Sequence, residues 1–127
     1  MTETELKRIL VVEDDPTILD TLKIFLESEG YLVQIAENGF IALELLKNCK
    51  MPHLILLDMK MPVMNGWEFA AEFSAKYNHR APIVVMTAAS DAKQRASEIT
   101  SSGWIGKPFD LDELLGVIKK NMRDTST

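Results

Sequence analysis

Short apolar runs alternate with helical patterns five times along the chain. Three of the runs, ILVV, LILL and IVVM, contain no polar residue. Strands that are buried on both faces have this composition, as parallel strands do when helices cover the sheet. We therefore predict five strands, over residues 9–12, 31–35, 54–57, 83–86 and 104–105.

The segments between these runs have the spacing of amphipathic helices. Asp-Pro at residues 15–16 is a typical helix start, and Gly30 predicts where the first helix ends. The apolar stripe of the second helix extends to Cys49, which we therefore place in the core. The third helix is predicted over about residues 66–77, and the more polar fourth helix over about residues 90–100.

The fifth helix begins at Asp110, in an Asp-x-x-Glu pattern that resembles a capping box. The alternation of strands and helices predicts an α/β fold, a (βα)5 doubly wound sheet of five parallel strands. In such sheets ligands bind at the carboxyl ends of the strands, in the loops that lead into the helices. We predict one domain over residues 7–123, with tails at residues 1–6 and 124–127.

The composition narrows the classes of function. The 127 residues suffice for one compact domain, and 14 Lys and Arg against 19 Asp and Glu give a net charge of −5. Proteins that bind nucleic-acid phosphates carry an excess of positive charge, whereas the net charge of this chain is negative. The single cysteine excludes an intramolecular disulfide, as is typical of a reducing compartment. No apolar stretch is long enough to cross a membrane, so we expect a cytoplasmic protein that binds neither membranes nor nucleic acid.

Acidic residues directly follow or end two of the predicted strands. Glu13, Asp14 and Asp15 come after the first strand, and Asp58 ends the third. At one edge of a sheet their carboxylates would converge, and their repulsion would raise their pKa values. A hard divalent cation with oxygen ligands removes this conflict, and Mg²⁺ suits an open carboxylate site. The sequence therefore predicts a magnesium site at the carboxyl edge of the sheet.

A hydroxyl and an ammonium group are predicted at the same edge. Thr87 follows the fourth apolar run and precedes the small residues Ala88 and Ala89, and Lys107 follows the fifth run, next to Pro108. With a cation and several carboxylates, these groups suit the stabilisation of a phosphoryl group on an aspartate, which would be the nucleophile.

Four segments carry a resemblance to a known family: ILVVEDD at 9–15, LILLDMKMPVMNG at 54–66, IVVMTA at 83–88 and GWIGKPFD at 103–110. The chain resembles the receiver domain of two-component response regulators over about residues 7–123. The resemblance implies a flavodoxin-like sheet with strand order 2-1-3-4-5, the order known for this family. Because one receiver fills the 127 residues, we expect a stand-alone, single-domain receiver similar to the chemotaxis regulators; the alternative is a receiver excised from a larger protein.

The resemblance implies that Asp58 accepts a phosphoryl group from a histidine kinase or a histidine phosphotransfer protein. Asp14 would bind Mg²⁺ directly and Glu13 through water, with further ligands from Asp58 and the backbone carbonyl of Lys60. Asp15 lies one position beyond the family's acidic pair and is assigned as a helix cap. The other implied positions are the phosphoryl-stabilising and switch residues Thr87, Ala88, Lys107 and Trp104, and the loop and cis-peptide residues Pro62, Gly66 and Pro108.

By the same resemblance, phosphorylation would switch the face formed by the fourth helix, fifth strand and fifth helix, which a downstream effector protein would bind. The domain would be a monomer or a weak, phosphorylation-dependent dimer, and not a turnover enzyme. One alternative is a degenerate receiver that only binds partners. A second is a phosphohydrolase with an aspartate nucleophile, but its D-x-D-x-T pattern would follow the first strand. A flavodoxin-like FMN binder would need a phosphate loop where this chain has acidic residues.

Three positions depart from the family's usual pattern. Trp104 stands where tyrosine or another aromatic is usual, and we expect it to report phosphorylation while swinging less completely. Lys60 and Ala89 stand where many relatives have amide or acid side chains that position the hydrolytic water. Because neither accepts a proton from water at neutral pH, we predict a long-lived phosphoryl group on Asp58. Residues 100–102 replace the usual Gly-Ala, which leaves open how the fourth helix ends.

Overall fold

The computed structural model describes residues 6–122, which form five strands and five helices in alternation. Most of the two predicted tails, residues 1–5 and 124–127, lies outside the described residues. The strands are β1 (Arg8–Val12), β2 (Leu32–Ala36), β3 (Leu54–Asp58), β4 (Ile83–Ala88) and β5 (Gly103–Lys107). The helices are α1 (Pro16–Ser28), α2 (Gly39–Lys47), α3 (Gly66–Tyr77), α4 (Ala92–Ser97) and α5 (Leu111–Asn121).

All five strands are parallel and lie in the order β2-β1-β3-β4-β5, which confirms the predicted fold class and strand order. The register sets Asp58 beside Met86 and Thr87 beside Gly106, while β1 ends beside Leu57. The ends of these four strands therefore reach the same edge of the sheet, where parallel sheets bind their ligands.

Helices cover both faces of the sheet, and each face has its own apolar core. All five residues of β3 are buried, because this strand lies at the centre of the sheet with helices on both sides. One core contains buried side chains of α2, α3 and α4, among them Ala42, Leu46, Phe69, Phe73 and Ala96. The other core contains buried side chains of α1 and α5, among them Leu19, Leu22, Leu26, Leu114 and Ile118.

Aspartates cap the first and last helices as the sequence predicts. The Asp15 carboxylate accepts hydrogen bonds from the backbone N–H groups of Thr17 at 2.8 Å and Ile18 at 3.3 Å, which confirms Asp15 as the cap of α1. The Asp110 carboxylate accepts one from the N–H of Glu113 at 2.6 Å. These bonds satisfy N–H groups that have no partner within their helix, so α1 and α5 begin soon after β1 and β5 end.

The fourth helix is shorter than predicted: α4 has six residues, whereas its pattern indicated a helix over about residues 90–100. The hydroxyl of Ser101 donates a hydrogen bond to the carbonyl of Ala96 at 2.7 Å. The N–H of Ser102 donates one to the carbonyl of Ile83 at 2.8 Å. These bonds turn the chain out of the helix and into β5, so serines act here where many helices end in glycine.

The prediction that Cys49 lies in the core is wrong. α2 ends at Lys47, and Cys49 is half-buried with its thiol donating to the carbonyl of Leu45 at 2.9 Å. Leu43 instead completes the buried face of α2. The apolar stripe continued past the end of the helix because helical spacing does not show where a short helix stops.

The strand β5 is longer than its apolar run predicts. β5 is five residues long although its apolar run covers residues 104–105, because Gly103, Gly106 and Lys107 continue the backbone ladder without being apolar. The longest described helix, α1, has 13 residues, so none of the helices in the described part of the chain could span a bilayer.

Candidate functional site

Three carboxylates meet at the carboxyl edge of the sheet. Ligand oxygens of Glu13, Asp14 and Asp58 all lie within 4.8 Å of one another. The N–H of Glu13 donates to the carbonyl of Ala36 at 3.0 Å, which extends the pairing of β1 with β2 by one residue. Glu13 and Asp58 are 1% and 6% exposed, whereas Asp14 is exposed to solvent. The structure thus brings together the acidic residues that the sequence predicts for a metal site.

The carboxyl group of Asp58 titrates far above its ordinary range. Burial, the largest cause, and repulsion from Glu13 and Asp14 raise the pKa of Asp58 from 3.8 to about 7. The Lys107 ammonium and a backbone hydrogen bond from Lys60 lower the pKa and oppose this effect. A divalent cation would relieve the repulsion between these carboxylates, so the chemistry of the donor set fits Mg²⁺.

Lys107 supplies positive charge at the end of β5. Its ammonium lies 2.5 Å from Oε1 of Glu13 and 3.8 Å from Oδ1 of Asp58. The other oxygen of Glu13 accepts a hydrogen bond from the N–H of Asp15 at 3.1 Å. The resemblance implied a contact from Lys107 to Asp58, and the structure adds the shorter contact to Glu13. The peptide bond between Lys107 and Pro108 is cis, as implied.

The loop after Asp58 returns to the sheet through Gly66. A Cβ on Gly66 would lie 2.7 Å from Cα of Met59 and 2.8 Å from the carbonyl oxygen of Asp58. The N–H of Gly66 also donates to the carbonyl of Met59 at 2.9 Å. Only glycine allows this approach, so α3 begins directly against the residue that follows Asp58. Within the loop that joins Asp58 to Gly66, the carbonyl of Pro62 accepts a hydrogen bond from the N–H of Met64 at 2.8 Å.

A second close approach joins the ends of β4 and β5. A Cβ on Gly106 would lie 2.5 Å from Cα of Ala89, and the N–H of Ala89 donates to the carbonyl of Lys107 at 3.0 Å. Thr87 is buried just before this contact, and Ala88 is exposed at the site edge. The two strand ends therefore place Thr87 and Lys107 at the same edge of the sheet as the acidic cluster.

A family model described as the response regulator receiver domain matches residues 9–119. The chain belongs to this family. Relatives include the response regulator MprA of Mycobacterium sp. (strain KMS), 34% identical over 121 residues, which are 94% of this chain and 52% of that protein. The transcriptional regulatory protein CrdR of Helicobacter pylori is 36% identical over 93% of this chain and 56% of its own length. The chain spans about half the length of the curated relatives it matches.

Solved receiver structures are similar over nearly the whole chain. Chemotaxis protein CheY4 of Vibrio cholerae has a TM-score of 0.83 and 27% identity, covering 93% of this chain and 100% of that one. Response regulator TrrA of Thermotoga maritima, solved in complex with Mg²⁺ and BeF, has a TM-score of 0.81 and 38% identity, with 92% and 100% covered. The receiver domain of the sensor kinase PA1611 of Pseudomonas aeruginosa has a magnesium ion in its active-site cleft; its TM-score is 0.82 at 27% identity, with 92% and 98% covered.

Two positions where this receiver domain departs from the usual pattern lie beside the site. The side chain of Lys60 is exposed, and so is Ala89. Trp104 is 46% exposed and lies in β5 opposite Val85 of β4. Its indole therefore contacts solvent in this structure, and its response to phosphorylation stays a prediction.

Two glycines that support the receiver site were not predicted from the sequence. Gly106 permits the contact with Ala89, and the N–H of Gly39 donates to the carbonyl of Met64 at 3.0 Å. A Cβ on Gly39 would lie 2.8 Å from Cγ of Met64, so α2 packs directly on the loop after Asp58. Gly106 carried a usable signal, because a glycine within a strand often marks close approach of another backbone.

Proposed function

We propose that Asp58 of this receiver domain accepts a phosphoryl group from a histidine kinase or a histidine phosphotransfer protein, in a reaction that depends on Mg²⁺. The observation that carries the proposal is the buried position of Asp58, with Glu13 and Asp14 within 4.8 Å and the Lys107 ammonium 3.8 Å away. Two structural neighbours, TrrA and the PA1611 receiver domain, hold magnesium, which supports the same assignment here.

Asp58 is the nucleophile in this proposal. One of its oxygens attacks the phosphorus of a phosphohistidine, and the new P–O bond forms as the P–N bond breaks. The electron pair leaves with the imidazole nitrogen, which takes up a proton. The raised pKa of Asp58 means that the reactive carboxylate is only partly ionised near pH 7 until more positive charge reaches the site.

Mg²⁺ would be held by the carboxylates of Asp14 and Asp58, by the backbone carbonyl of Lys60, and by Glu13 through water. When bound, it supplies positive charge against the phosphoryl oxygens. Lys107 supplies the second positive charge from the end of β5. A phosphoryl group on Asp58 would compete with Glu13 for the Lys107 ammonium, because it places additional negative charge next to a lysine that is already 3.8 Å from Asp58.

The proposed output is a change in the face made by α4, β5 and α5. The buried hydroxyl of Thr87 at the end of β4 would donate a hydrogen bond to the phosphoryl group, and Trp104 on β5 would respond. A downstream effector protein would bind the altered face, with the domain a monomer or a weak phosphorylation-dependent dimer in the cytoplasm. In this proposal the domain reacts on itself and turns over no substrate.

The proposal is tested by incubation with Mg²⁺ and acetyl phosphate, followed by intact mass measurement. One added phosphoryl group is expected for the wild type and for Asp20→Asn, a control that changes an exposed aspartate on α1. The adduct should be absent in Asp58→Asn and in EDTA. An adduct that survives in Asp58→Asn would place the acceptor elsewhere, and absence of an adduct with any donor would leave a domain that only binds partners.

A further inference from the structure

α4 is attached to the domain by little apolar surface. It is six residues long, and the residues that it buries are Ala92 and Ala96. Within the described residues, Asp91 precedes the helix without making a capping hydrogen bond through its side chain. Two methyl groups bury far less apolar surface than the leucines and phenylalanines of α1 and α3, and a helix this short is unstable alone. Other contacts must therefore contribute to the position of α4.

A polar cluster joins the end of α4 to α3. The indole N–H of Trp67, on α3, donates a hydrogen bond to Oε1 of Glu98 at 2.9 Å. Nη1 of Arg95 lies 3.2 Å from each carboxylate oxygen of Glu98, and the Arg95 guanidinium carbon lies 5.5 Å from the centre of the Trp67 ring. Each of the three side chains thus contacts the other two, and we refer to Trp67, Arg95 and Glu98 as the α3–α4 cluster.

The ion pair alone would not hold α4 in place. Arg95 and Glu98 are three positions apart at the same helix end, so their ion pair links α4 to itself and is partly exposed. Trp67 is different, because it belongs to another helix. The hydrogen bond from Trp67, followed by the contacts of Arg95, lowers the pKa of Glu98 and keeps this carboxylate charged, and hydrogen bonds to charged acceptors are the stronger kind.

Trp67 is also close in the chain to the site. It directly follows Gly66, whose N–H is bonded to the carbonyl of Met59 and whose position leaves no room for a Cβ. Met59 in turn follows Asp58. The backbone of Trp67 is therefore fixed to the loop that leaves Asp58, while Arg95 and Glu98 belong to the segment that leaves Thr87.

We propose that the α3–α4 cluster is a latch that holds the end of α4 against α3, with Trp67 as its positioning residue. The latch connects the two segments that leave the candidate site, so a change at Asp58 and the position of α4 influence each other through it. Its influence on phosphorylation rests on the proposed function, whereas its restraint of α4 does not.

Amide hydrogen exchange of the unphosphorylated protein tests the restraint. Trp67→Phe keeps an aromatic ring but removes the N–H donor, and Glu98→Gln removes the charge. In both variants the amides of Ala92–Ser97 should exchange about fivefold faster, while those of α5 keep their rates. Glu27→Gln, which alters the exposed Lys23–Glu27 pair on α1, is the matched control and should leave α4 unchanged.

Two outcomes would overturn the latch. One is wild-type exchange rates across α4 in Trp67→Phe. The other is equal acceleration in α3, α4 and α5, which would show general destabilisation. The double variant should exchange no faster than the faster single variant, because both changes break the same cluster; independent, multiplying effects would show that Trp67 and Glu98 do not act together.

The initial rate of phosphorylation by acetyl phosphate tests the connection to the site. Loosening α4 should change this rate by at least about twofold, in the same direction for Trp67→Phe and Glu98→Gln and not for Glu27→Gln. Equal rates in all variants would overturn the connection. If the wild type itself gains no phosphoryl group, the proposed function fails, and the exchange measurement still decides whether the latch exists.

Discussion

On one side of the acidic site, β1 and β3 lead into Glu13 and Asp58, and every residue of β3 is buried. The loop after Asp58 is held by backbone contacts at Gly39 and Gly66. On the other side, β4 and β5 flank a six-residue helix, and Trp104 is nearly half exposed. Asp58 and Glu13 thus lie at the ends of buried strands, whereas the side proposed to respond includes the short helix α4 and the half-exposed Trp104, although Thr87 at the end of β4 is itself buried.

This difference suits a signalling module. A nucleophile and its metal ligands need fixed positions, which dense packing provides. A segment that changes arrangement needs a small free-energy difference between its states, and such segments come from regions with few buried apolar contacts. Substitutions on the two sides of the site should therefore have effects of different size.

Gly66→Ala should cause the largest loss of stability, because Gly66 lies on the tightly packed side of the site. The added Cβ would lie within 2.8 Å of two backbone atoms, of Met59 and Asp58, which cannot move aside cheaply. We expect a loss of about 2–4 kcal/mol in the free energy of unfolding, measured in urea. Gly116→Ala on α5 is the matched control, since nothing lies within 4 Å of its Cβ, and it should gain about 0.5–1 kcal/mol. Equal effects at the two glycines would refute the close approach at Gly66.

Asp58→Asn should stabilise the metal-free protein in a pH-dependent way. The pKa of Asp58 is raised from 3.8 to about 7, so between these pH values the folded state binds more protons than the unfolded state. Stability therefore falls as the pH rises from about 4 to 7, and the full penalty is present above pH 7. The variant removes this penalty but also a partner of Lys107, so we expect a gain of about 1–2 kcal/mol at pH 8 and none at pH 4. Thermal unfolding in EDTA measures it, and a gain independent of pH would contradict the buried charge.

Lys60→Asn should shorten the lifetime of the phosphoryl group on Asp58. Lys60 and Ala89 offer no acceptor for a proton of the attacking water, whereas an amide at position 60 can orient that water. We expect hydrolysis of the phosphoryl group to be about threefold to tenfold faster in the variant than in the wild type. The rate is measured as the loss of the adduct mass after the phosphoryl donor has been removed. Lys76→Asn, an exposed lysine on α3, should behave as the wild type. Slower hydrolysis in Lys60→Asn than in the wild type would show that Lys60 does not prolong the lifetime of the phosphoryl group.

The smallest expected effect is a change in the fluorescence of Trp104, which lies on the less buried side of the site. We expect the binding of fluoroberyllate with Mg²⁺ to change the tryptophan fluorescence, because the indole of Trp104 would become less exposed to solvent. The difference between the wild type and Trp104→Phe isolates this residue from Trp67, the other tryptophan. Unchanged emission from Trp104, with binding established separately by calorimetry, would show that it only packs at the edge of β5.

Local chemistry explains which features were predictable. Uninterrupted apolar runs predicted the three central strands, and the cap at Asp15 predicted where α1 begins. The acidic cluster was predictable as well, because parallel strands bring their carboxyl ends to one edge whatever their order. The strand order itself came from the family resemblance. The extent of α4 was not predictable, since its end depends on hydrogen bonds from Ser101 and Ser102, the latter to β4.

The alternation of strands and helices and the residues at the strand ends could be read from the amino-acid sequence, because they depend on neighbouring positions in the chain. Three contacts became known only from the folded chain: Lys107 lies closer to Glu13 than to Asp58, Gly106 approaches Ala89, and Trp67 donates a hydrogen bond to Glu98. These contacts join residues far apart in sequence, and their distances follow from how helices pack on the sheet, which no local pattern encodes.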